Sequence, residues 1–380
     1  MKKLASSSIL PLLVVGLIAL SQQTYAQVGV TAVPFLQIEP DSRSAGMGNT
    51  GVAIADNANA VFWNPAGLAF QRGSSISITH SNWLPNFNVD LFYDYLAGRK
   101  YIEGIGTIGG HITFLNLGEQ VRTSEDNVEL GRFNSFELAA GLSYGLELSE
   151  NFALGAGLRF IHSSLASGSV GGQQINPGSS VGLDVAAMFK SNVFKVLDRD
   201  ANINVGLNIS NLGPSIQYTD NDQEDPLPTV MRFGYAYTME LDSEGFNTLT
   251  IASDVSKIMA RLEPNVTPRG DTVFVAQKPL EGFFNSFSSF ERDIGTGEVI
   301  NVSLFEQLIF ANGLEYWYDQ KFALRAGFFH EAEDNGNRQF VTLGAGLKYN
   351  IIGVDFSYLY TLEEDSPLAN TIRFGLMVDF

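Results

Sequence analysis

The amino-acid sequence predicts an all-β membrane protein, a barrel of fourteen antiparallel transmembrane strands with an N-terminal plug segment. Three observations lead to this prediction. Apolar residues alternate with small or polar ones in many segments of about ten residues, which is the pattern of a transmembrane strand. The connections between these segments alternate between short and long. After the first 26 residues, no apolar run approaches the length of about 18 residues that a membrane-spanning helix needs.

The first 26 residues have the features of an export signal. Lys2 and Lys3 give a positive start, residues 9–20 are apolar, and residues 24–26 offer a cleavage site with small residues. A helix of that apolar run would be roughly 18 Å long, too short for a hydrocarbon core of about 30 Å. We therefore expect residues 1–26 to be a cleaved signal peptide rather than an anchor, so that the mature chain begins at Gln27.

The composition excludes several classes of protein. The chain of 380 residues contains 38 Gly, 28 Phe and 13 Tyr but no Cys, so disulfide scaffolds and thiolate metal sites are excluded. The net charge of −18 repels phosphate backbones, which argues against nucleic-acid binding. Acidic residues cluster in predicted loops at 220–225, 331–334 and 363–365. These loops are either solvated or directed towards cations or a partner.

The predicted strands carry apolar residues on one face and small or polar residues on the other. The alternation is clear in residues 152–162, where Phe, Leu and Ala alternate with Gly, Ala and Arg, and again in residues 372–380. Fourteen segments follow this pattern, an even number like that of bacterial single-chain barrels. They begin near Ser74, Asp90, Gly104, Asn134, Phe152, Ser179, Ala201, Thr229, Phe246, Phe305, Lys321, Gln339, Ile352 and Thr371.

The connections between the predicted strands are sorted by length. Both termini of such barrels lie in the periplasm, where turns are short, whereas the outer loops are longer. With the exception of residues 190–200, every second connection is short, and a soluble β-sandwich gives no reason for this order. We therefore expect residues 74–380 to form the barrel, with outer loops at 80–89, 115–133, 164–178, 212–228, 257–304, 331–338 and 362–370.

Two segments differ from strands and short turns. Residues 27–73 are rich in Gly, Ala and Asn, and a lumen is a suitable place for such irregular backbone, so we expect a plug there. The longest outer loop, 257–304, contains an apolar pattern typical of a short amphipathic helix. Its members, Phe283, Phe284, Phe287 and Phe290, pack on their own loop or on lipid, or they form a candidate partner-binding surface.

The sequence offers no arrangement typical of an enzyme. Residues 46–51 and 104–109 match a dinucleotide fingerprint, but neither lies in a βαβ unit. The four histidines, at 80, 111, 162 and 330, lack metal-ligand spacing, and no nucleophile elbow is present. His162 and Ser163 are neighbours in a predicted strand and therefore point to opposite faces. We predict no catalytic residue, no cofactor and no metal site.

The plug segment also carries a family resemblance. The sequence SAGMGNTGVAIADNANAVFWNPAGLA (44–69) resembles the plug of FadL-like outer-membrane barrels, with Trp63, Asn64, Pro65 and Ala66 as the plug motif. Pro65 fixes φ and Asn64 can bond nearby backbone, which suits a tight turn. The segments TAVPFLQIEPDSR, NVGLNISNLGPSIQY and LPTVMRFGYAY are similar to the PorV and PorQ family of Bacteroidetes, with PorV the better match. Residues 67–69 instead read like the generic superfamily.

The resemblance implies a non-enzymatic outer-membrane component of the type IX secretion system. Its partners would be the translocon barrel, cargo proteins with a type IX C-terminal domain, and the surface attachment complex with its sortase. One alternative is a FadL-type transporter of hydrophobic small molecules, and another is an outer-membrane lipid hydrolase, which the missing nucleophile disfavours. Phe380, at the end of the last strand, resembles the aromatic assembly signal that the barrel-insertion machinery reads.

Overall fold

The computed structural model describes residues 31–87, 90–123, 128–166, 168–170, 173–219, 224–266, 272–293, 299–363 and 366–380. The predicted signal peptide and the start of the predicted plug lie outside these residues, as do residues 220–223 and 364–365 of two predicted acidic loops. In the described part of the chain, none of the helices is both long enough and apolar enough to cross a membrane.

Fourteen antiparallel strands form a closed barrel, as the sequence predicts. Each strand pairs with the next along the chain, and the last pairs with the first from Ser75 opposite Asp379 to Ser81 opposite Arg373. A short additional strand, Phe194–Val196, pairs with the beginning of the seventh. The barrel strands are β1 (Ser74–Asn82), β2 (Phe92–Ile102), β3 (Gly106–Thr123), β4 (Glu129–Ser149), β5 (Phe152–Ser164), β6 (Gly178–Lys190), β7 (Arg199–Leu212), β8 (Val230–Glu240), β9 (Asn247–Ile258), β10 (Ile309–Tyr318), β11 (Phe322–Glu331), β12 (Gln339–Tyr349), β13 (Ile352–Thr361) and β14 (Ile372–Asp379).

The alternation along each strand separates an apolar outer surface from a polar lumen. In β5, Leu158 and Phe160 are 62% and 48% exposed, whereas their neighbour Arg159 is 2% exposed. Arg159 points inward and pairs with Asp184 of β6 at 2.6 Å. An outward apolar band around an inward polar face is the architecture of a barrel in an outer membrane.

Two strands are longer than the alternation indicates. Residues 115–133 were expected to form an outer loop, but β3 and β4 continue into this region with 18 and 21 residues. This expectation was wrong because the two strands remain paired beyond Asn116, after a register shift. Gly118 adopts a positive φ of 72° at this shift. The continuation is polar, so its sequence lacks the alternation that marks strands in contact with lipid.

The longest outer connection, between β9 and β10, has its own small structure. It contains one short antiparallel pair of strands, Leu262–Val266 with Thr272–Ala276, and a second, Phe290–Asp293 with Val299–Val302. A helix, Pro279–Asn285, lies between the two pairs. Shorter elements in other outer connections are a pair of strands, Gly168–Val170 with Gln173–Ile175, and 3₁₀ turns at Pro85–Phe87 and Glu333–Asn335.

The segment before β1 occupies the lumen. It consists of the 3₁₀ helix Pro34–Gln37, α1 (Ser42–Ala45), α2 (Ala60–Trp63) and the 3₁₀ helix Pro65–Phe70, joined by irregular chain. Wall glycines allow its backbone to approach closely. A Cβ atom on Gly327 of β11 would lie 1.9 Å from the Gly48 nitrogen, and one on Gly155 of β5 would lie 2.1 Å from the Ala66 nitrogen. These two wall glycines therefore make room for the plug backbone.

Candidate functional site

The turn formed by Asn64, Pro65 and Ala66 fastens the plug to itself and to the wall. Asn64 is fully buried, and its side-chain amide donates to the carbonyl oxygens of Val52 and of Ala187 in β6, each at 3.1 Å. Its side-chain oxygen accepts from the Ala66 nitrogen at 3.1 Å and so caps the following 3₁₀ helix. Pro65 occupies the first turn of that helix, where a missing N–H costs nothing. One side chain thereby connects three backbone segments.

Trp63, the residue before this turn, holds two parts of the plug together. Its ring nitrogen donates to Asp41 Oδ2 at 2.6 Å, while Asp41 Oδ1 accepts from the Ser44 nitrogen at 2.9 Å and caps α1. Burial raises the pKa of the Asp41 carboxyl, and the hydrogen bonds from Ser44 and Trp63 act in the opposite direction. The Trp63 ring packs directly on Gly51, where a Cβ atom would lie 2.0 Å from the ring. These contacts give the tryptophan a structural role.

A buried network of charges, which the sequence did not reveal, joins the plug to the opposite wall. Arg43 of α1 donates to Glu315 of β10 from Nε at 2.8 Å and from Nη2 at 2.7 Å. Glu315 also accepts from Arg325 of β11 at 2.7 Å, and Arg325 pairs with Asp355 of β13 at 2.6 Å. Arg43 and Glu315 are 272 residues apart in sequence, so no local sequence pattern indicates that they pair. Breaking such a buried pair typically costs about 3–5 kcal/mol.

The glycine-rich run at residues 46–51 is part of the same plug contact. The Gly51 and Val52 nitrogens donate to Asp254 Oδ2 of β9 at 2.7 and 3.0 Å, and the Gly48 nitrogen donates to the Thr342 hydroxyl at 2.8 Å. Gly48 has a φ of 66°, in the left-handed region that favours glycine. The run therefore lies against the wall through its own backbone donors, and it opens no βαβ unit.

Two cavities lie on opposite sides of the plug. The periplasmic one, of about 530 Å³, is polar and is lined by groups such as Arg72, Arg99 and Lys190 near the periplasmic ends of the strands. The other, at the outer end of the lumen, has a volume of about 390 Å³ and mainly apolar walls. Its plug side is formed by residues 34–39. The plug thus separates a polar vestibule from an apolar one.

The four phenylalanines of the long outer loop have different surroundings. Phe284 and Phe287 are 68% and 46% exposed, and half-buried Phe283 packs edge-on against both, with ring centroids 5.4 and 5.8 Å away. Phe290 is buried and lies outside the helix, below the Arg261 guanidinium at 4.6 Å. The expectation of one helix face was therefore wrong for Phe287 and Phe290, because the helix ends at Asn285, and Phe290 begins a strand.

The C-terminal residue lies where the barrel closes. The Phe380 nitrogen donates to the Ser74 oxygen at 2.8 Å, and the Ser74 nitrogen donates back to Phe380 at 2.7 Å. The Phe380 side chain is 66% exposed on the outer surface of the wall. It follows the outward apolar row of β14, which includes Ile372, Phe374 and Leu376. Its aromatic ring is therefore accessible at the end of the closing strand.

The histidine and serine residues of a candidate catalytic pair point to opposite sides of the wall. His162 bonds Ser179 on the outside of the barrel, whereas buried Ser163 donates to Glu137 in the lumen at 2.8 Å. Among the residues that the structure describes, no group of three or more His, Asp or Glu side chains is placed to hold a metal ion. Many of the inward polar groups, such as Arg159, Asp254 and Glu315, instead bond to one another or to the plug.

Comparisons with known proteins place this geometry in a family. The family model described as "Type IX secretion system protein PorV" matches residues 21–265. No curated protein matches significantly. The toluene transporter TbuX of Ralstonia pickettii is 14% identical, covers 90% of this chain and 99% of its own, and has a TM-score of 0.51. The toluene transporter TodX of Pseudomonas putida is 12% identical over 94% of this chain and 98% of its own, with a TM-score of 0.47.

The two kinds of comparison establish different things. At so low an identity, the likeness to TbuX shows a shared barrel fold alone. The family match spans well over half of the sequence and includes the plug, its Asn-Pro-Ala turn and the first strands of the barrel. On this evidence the chain belongs to the PorV family of type IX secretion system proteins.

Proposed function

We propose that this protein is the cargo carrier of a type IX secretion system. In this role it binds cargo bearing a type IX C-terminal domain at the translocon barrel and passes it to the surface attachment complex with its sortase. The observation that carries the proposal is the family match over residues 21–265. The plugged lumen supports it, because a carrier in the outer membrane must not leak solutes.

The plug contacts explain how such a barrel stays closed. Asn64 bonds the plug to β6, the Arg43–Glu315 pair bonds it to β10, and Asp254 of β9 accepts two of its backbone N–H groups. These contacts attach the plug to three different strands of the wall. We propose the corresponding organisation of the chain, with residues 1–26 as a cleaved signal peptide, 27–73 as the plug and 74–380 as the barrel.

The exposed aromatic cluster of the long outer loop, defined as Phe283, Phe284 and Phe287, is the proposed partner surface. Leu280 of the same helix is also 61% exposed, so the cluster is part of a larger apolar patch. Exposed apolar patches of this kind mark contacts with other proteins. The patch projects from the outer end of the barrel, where a translocon or a cargo domain would meet it. In this role the protein needs neither a catalytic residue nor a cofactor.

A co-purification experiment tests the proposal. A tagged protein is extracted from the outer membrane of its native cells in a gentle detergent, and the bound proteins are identified by mass spectrometry. We expect the translocon barrel and cargo with a type IX C-terminal domain to be retained. An unrelated outer-membrane barrel with the same tag is the control. Retention of neither partner, in a preparation whose barrel is folded, would contradict the proposal.

A transporter of hydrophobic small molecules is the second candidate, and the apolar outer cavity favours it. The cavity of about 390 Å³ is large enough for a small aromatic or aliphatic molecule. The solved structure with the same fold, TbuX, is a toluene transporter. Uptake of a radiolabelled hydrophobic substrate by cells with and without the protein distinguishes the two functions. A deletion that abolishes uptake while secretion continues would favour the transporter.

A further inference from the structure

The outer cavity is bounded by the plug and by the outer ends of several strands. One side is formed by plug residues 34–39, and the other side includes residues of β3, β12, β13 and the chain before β14. Its volume is about 390 Å³. Most of the lining side chains are apolar, among them Phe35, Leu115, Leu117, Phe340, Leu359 and Leu368. A ligand of this cavity must therefore present an apolar body.

One buried cation in the cavity has carboxylates nearby, Glu39 and Asp41, but forms no ion pair with either of them. Arg373 of β14 lines the cavity and is 3% exposed. Within the described parts of the chain, it has no hydrogen-bond or ion-pair partner, and its Nε atom is fully buried. Arg159 and Arg325 are buried to the same degree, but they pair with Asp184 at 2.6 Å and with Glu315 at 2.7 Å. A buried guanidinium without a direct hydrogen-bonded partner is costly, so Arg373 can accept an anionic group of a ligand.

Hydrogen-bond acceptors line the same cavity. Glu39 and Glu137 both face it, and the side-chain oxygen of Asn49, another lining residue, is buried without a partner. Glu137 accepts one hydrogen bond, from Ser163 at 2.8 Å. A second arginine, Arg338, also lines the cavity, but it is paired with Glu331 at 2.6 Å. A ligand with N–H donors as well as an anionic group is therefore complementary to these walls.

We propose that this cavity receives the C-terminal end of an apolar peptide. The terminal carboxylate pairs with the Arg373 guanidinium, whose fork of donors matches a carboxylate. The peptide N–H groups face Glu39 and Asn49, and the apolar side chains lie against Leu115 and Leu368. A fatty acid shares the carboxylate, but its hydrocarbon chain would leave the acceptors without donors. The inference rests on the proposed function, in which the peptide is the end of a cargo protein.

The test compares two peptides that differ at one group. Acetyl-Ala-Val-Leu-Val-Leu is prepared with a free C-terminal carboxylate and with a carboxamide, and laurate is the third probe. Binding to the full-length protein in nanodiscs is measured by calorimetry.

The variants are Arg373→Met, which removes the cation, and Leu368→Trp, which fills the cavity. Arg72→Met is the matched control, because Arg72 lies on the periplasmic side of the plug and is exposed. Heat-modifiable migration on gels verifies that each barrel is folded.

We expect the carboxylate peptide to bind roughly ten-fold or more tightly than the carboxamide, as for a hydrogen-bonded charge pair. This preference should disappear in Arg373→Met and persist in Arg72→Met, and Leu368→Trp should weaken both peptides. Equal binding of the two peptides, no binding, or a preference that survives Arg373→Met would overturn the inference. Laurate that binds more tightly than the peptide and depends equally on Arg373 would replace the peptide by a lipid acid. Normal cargo secretion in a deletion strain would instead refute the proposed function, whatever the peptides do.

Discussion

Asn64 shows how a single side chain can hold a plug in a barrel. Its three hydrogen bonds connect the plug at Val52 and Ala66 with the wall at Ala187. All of these groups lie in the described interior of the lumen, where no bulk solvent replaces a lost bond. The cost of leaving a buried donor or acceptor unpaired is about 1–3 kcal/mol for each group.

Asn64→Ala should therefore destabilise the protein by on the order of 3 kcal/mol, because it leaves several buried backbone groups without partners. The measurement is urea unfolding of the purified barrel, followed by tryptophan fluorescence, which reports on Trp63 beside the turn. Asn86→Ala is the control, since Asn86 is exposed and its side chain makes one hydrogen bond within the described residues, at 3.3 Å. If the two variants unfold at the same urea concentration, the turn does not hold the plug.

Arg43→Met should loosen the plug and lower stability by about 3–5 kcal/mol, since it leaves Asp56 and part of Glu315 without a cation. In planar bilayers, single-channel recordings of this variant should show openings that the wild type lacks. Arg132→Met is the control, because Arg132 forms ion pairs with Glu119 and Glu129 that are more than half exposed. Such exposed pairs contribute about 0–1 kcal/mol. If Arg43→Met shows no channel openings and unchanged stability, the buried Arg43–Glu315 pair does not hold the plug.

At the scale of the element, β14 both closes the barrel and carries the proposed assembly signal. Deletion of Phe380 removes the two backbone hydrogen bonds with Ser74 and the terminal ring of the outward apolar row. We expect the truncated protein to reach the outer membrane at a reduced level, measured by blotting of membrane fractions. Phe380→Tyr keeps an aromatic ring at this position and should assemble normally. Normal levels of heat-modifiable protein after the deletion would contradict the role.

The long outer loop presents two classes of phenylalanine. Phe284→Ser and Phe287→Ser remove exposed rings and should weaken co-purification of the translocon or of cargo while the barrel inserts normally. Aromatic anchors of an interface typically cost about 2 kcal/mol or more when truncated, which is roughly thirty-fold in affinity. Phe305→Ser is the matched control, because Phe305 is 71% exposed in the same connection but lies outside the cluster. Equal binding by all three variants would place the partner surface elsewhere.

Phe290 is unsuitable for this test. Its ring is 3% exposed and packs with Val302 and Ile300 below Arg261. Truncating such a buried ring typically costs about 3–5 kcal/mol, so Phe290→Ser would disturb the loop itself. Loss of partner binding in that variant would not show whether Phe290 contacts the partner directly or only maintains the fold of the loop.

At the scale of the whole molecule, deletion of the gene should block cargo secretion without making the outer membrane more permeable. A carrier acts by binding, so its loss should leave cargo in the periplasm with its C-terminal domain uncleaved. If the plug closes the lumen as proposed, the outer membrane should exclude a large antibiotic equally well with and without the protein. Western blots of cell fractions measure the first effect, and antibiotic susceptibility measures the second. Normal cargo cleavage in the deletion strain would refute the carrier role.

The sequence by itself determined the fourteen strands and their order, because alternation between lipid and lumen is a property of neighbouring residues. Most strands begin within two or three residues of the prediction. The larger differences are at β4, which begins at Glu129 rather than Asn134, and at β10, which begins at Ile309 rather than Phe305. Polar pairing beyond the membrane extends β4, and a turn delays β10. Neither effect leaves an apolar alternation in the sequence.

Only the tertiary structure decided which inward residues meet. The plug sequence shows a turn at Asn64, but it does not show that the side chain reaches Ala187, nor that Arg43 finds Glu315 across the lumen. Likewise, Arg159 and Arg373 are both inward arginines of strands. Arg159 pairs with Asp184, whereas Arg373 lines a cavity. The inward direction follows from the local period of two residues. The partner depends on how the barrel closes and where the plug runs through it, and both are set by contacts between residues hundreds of positions apart.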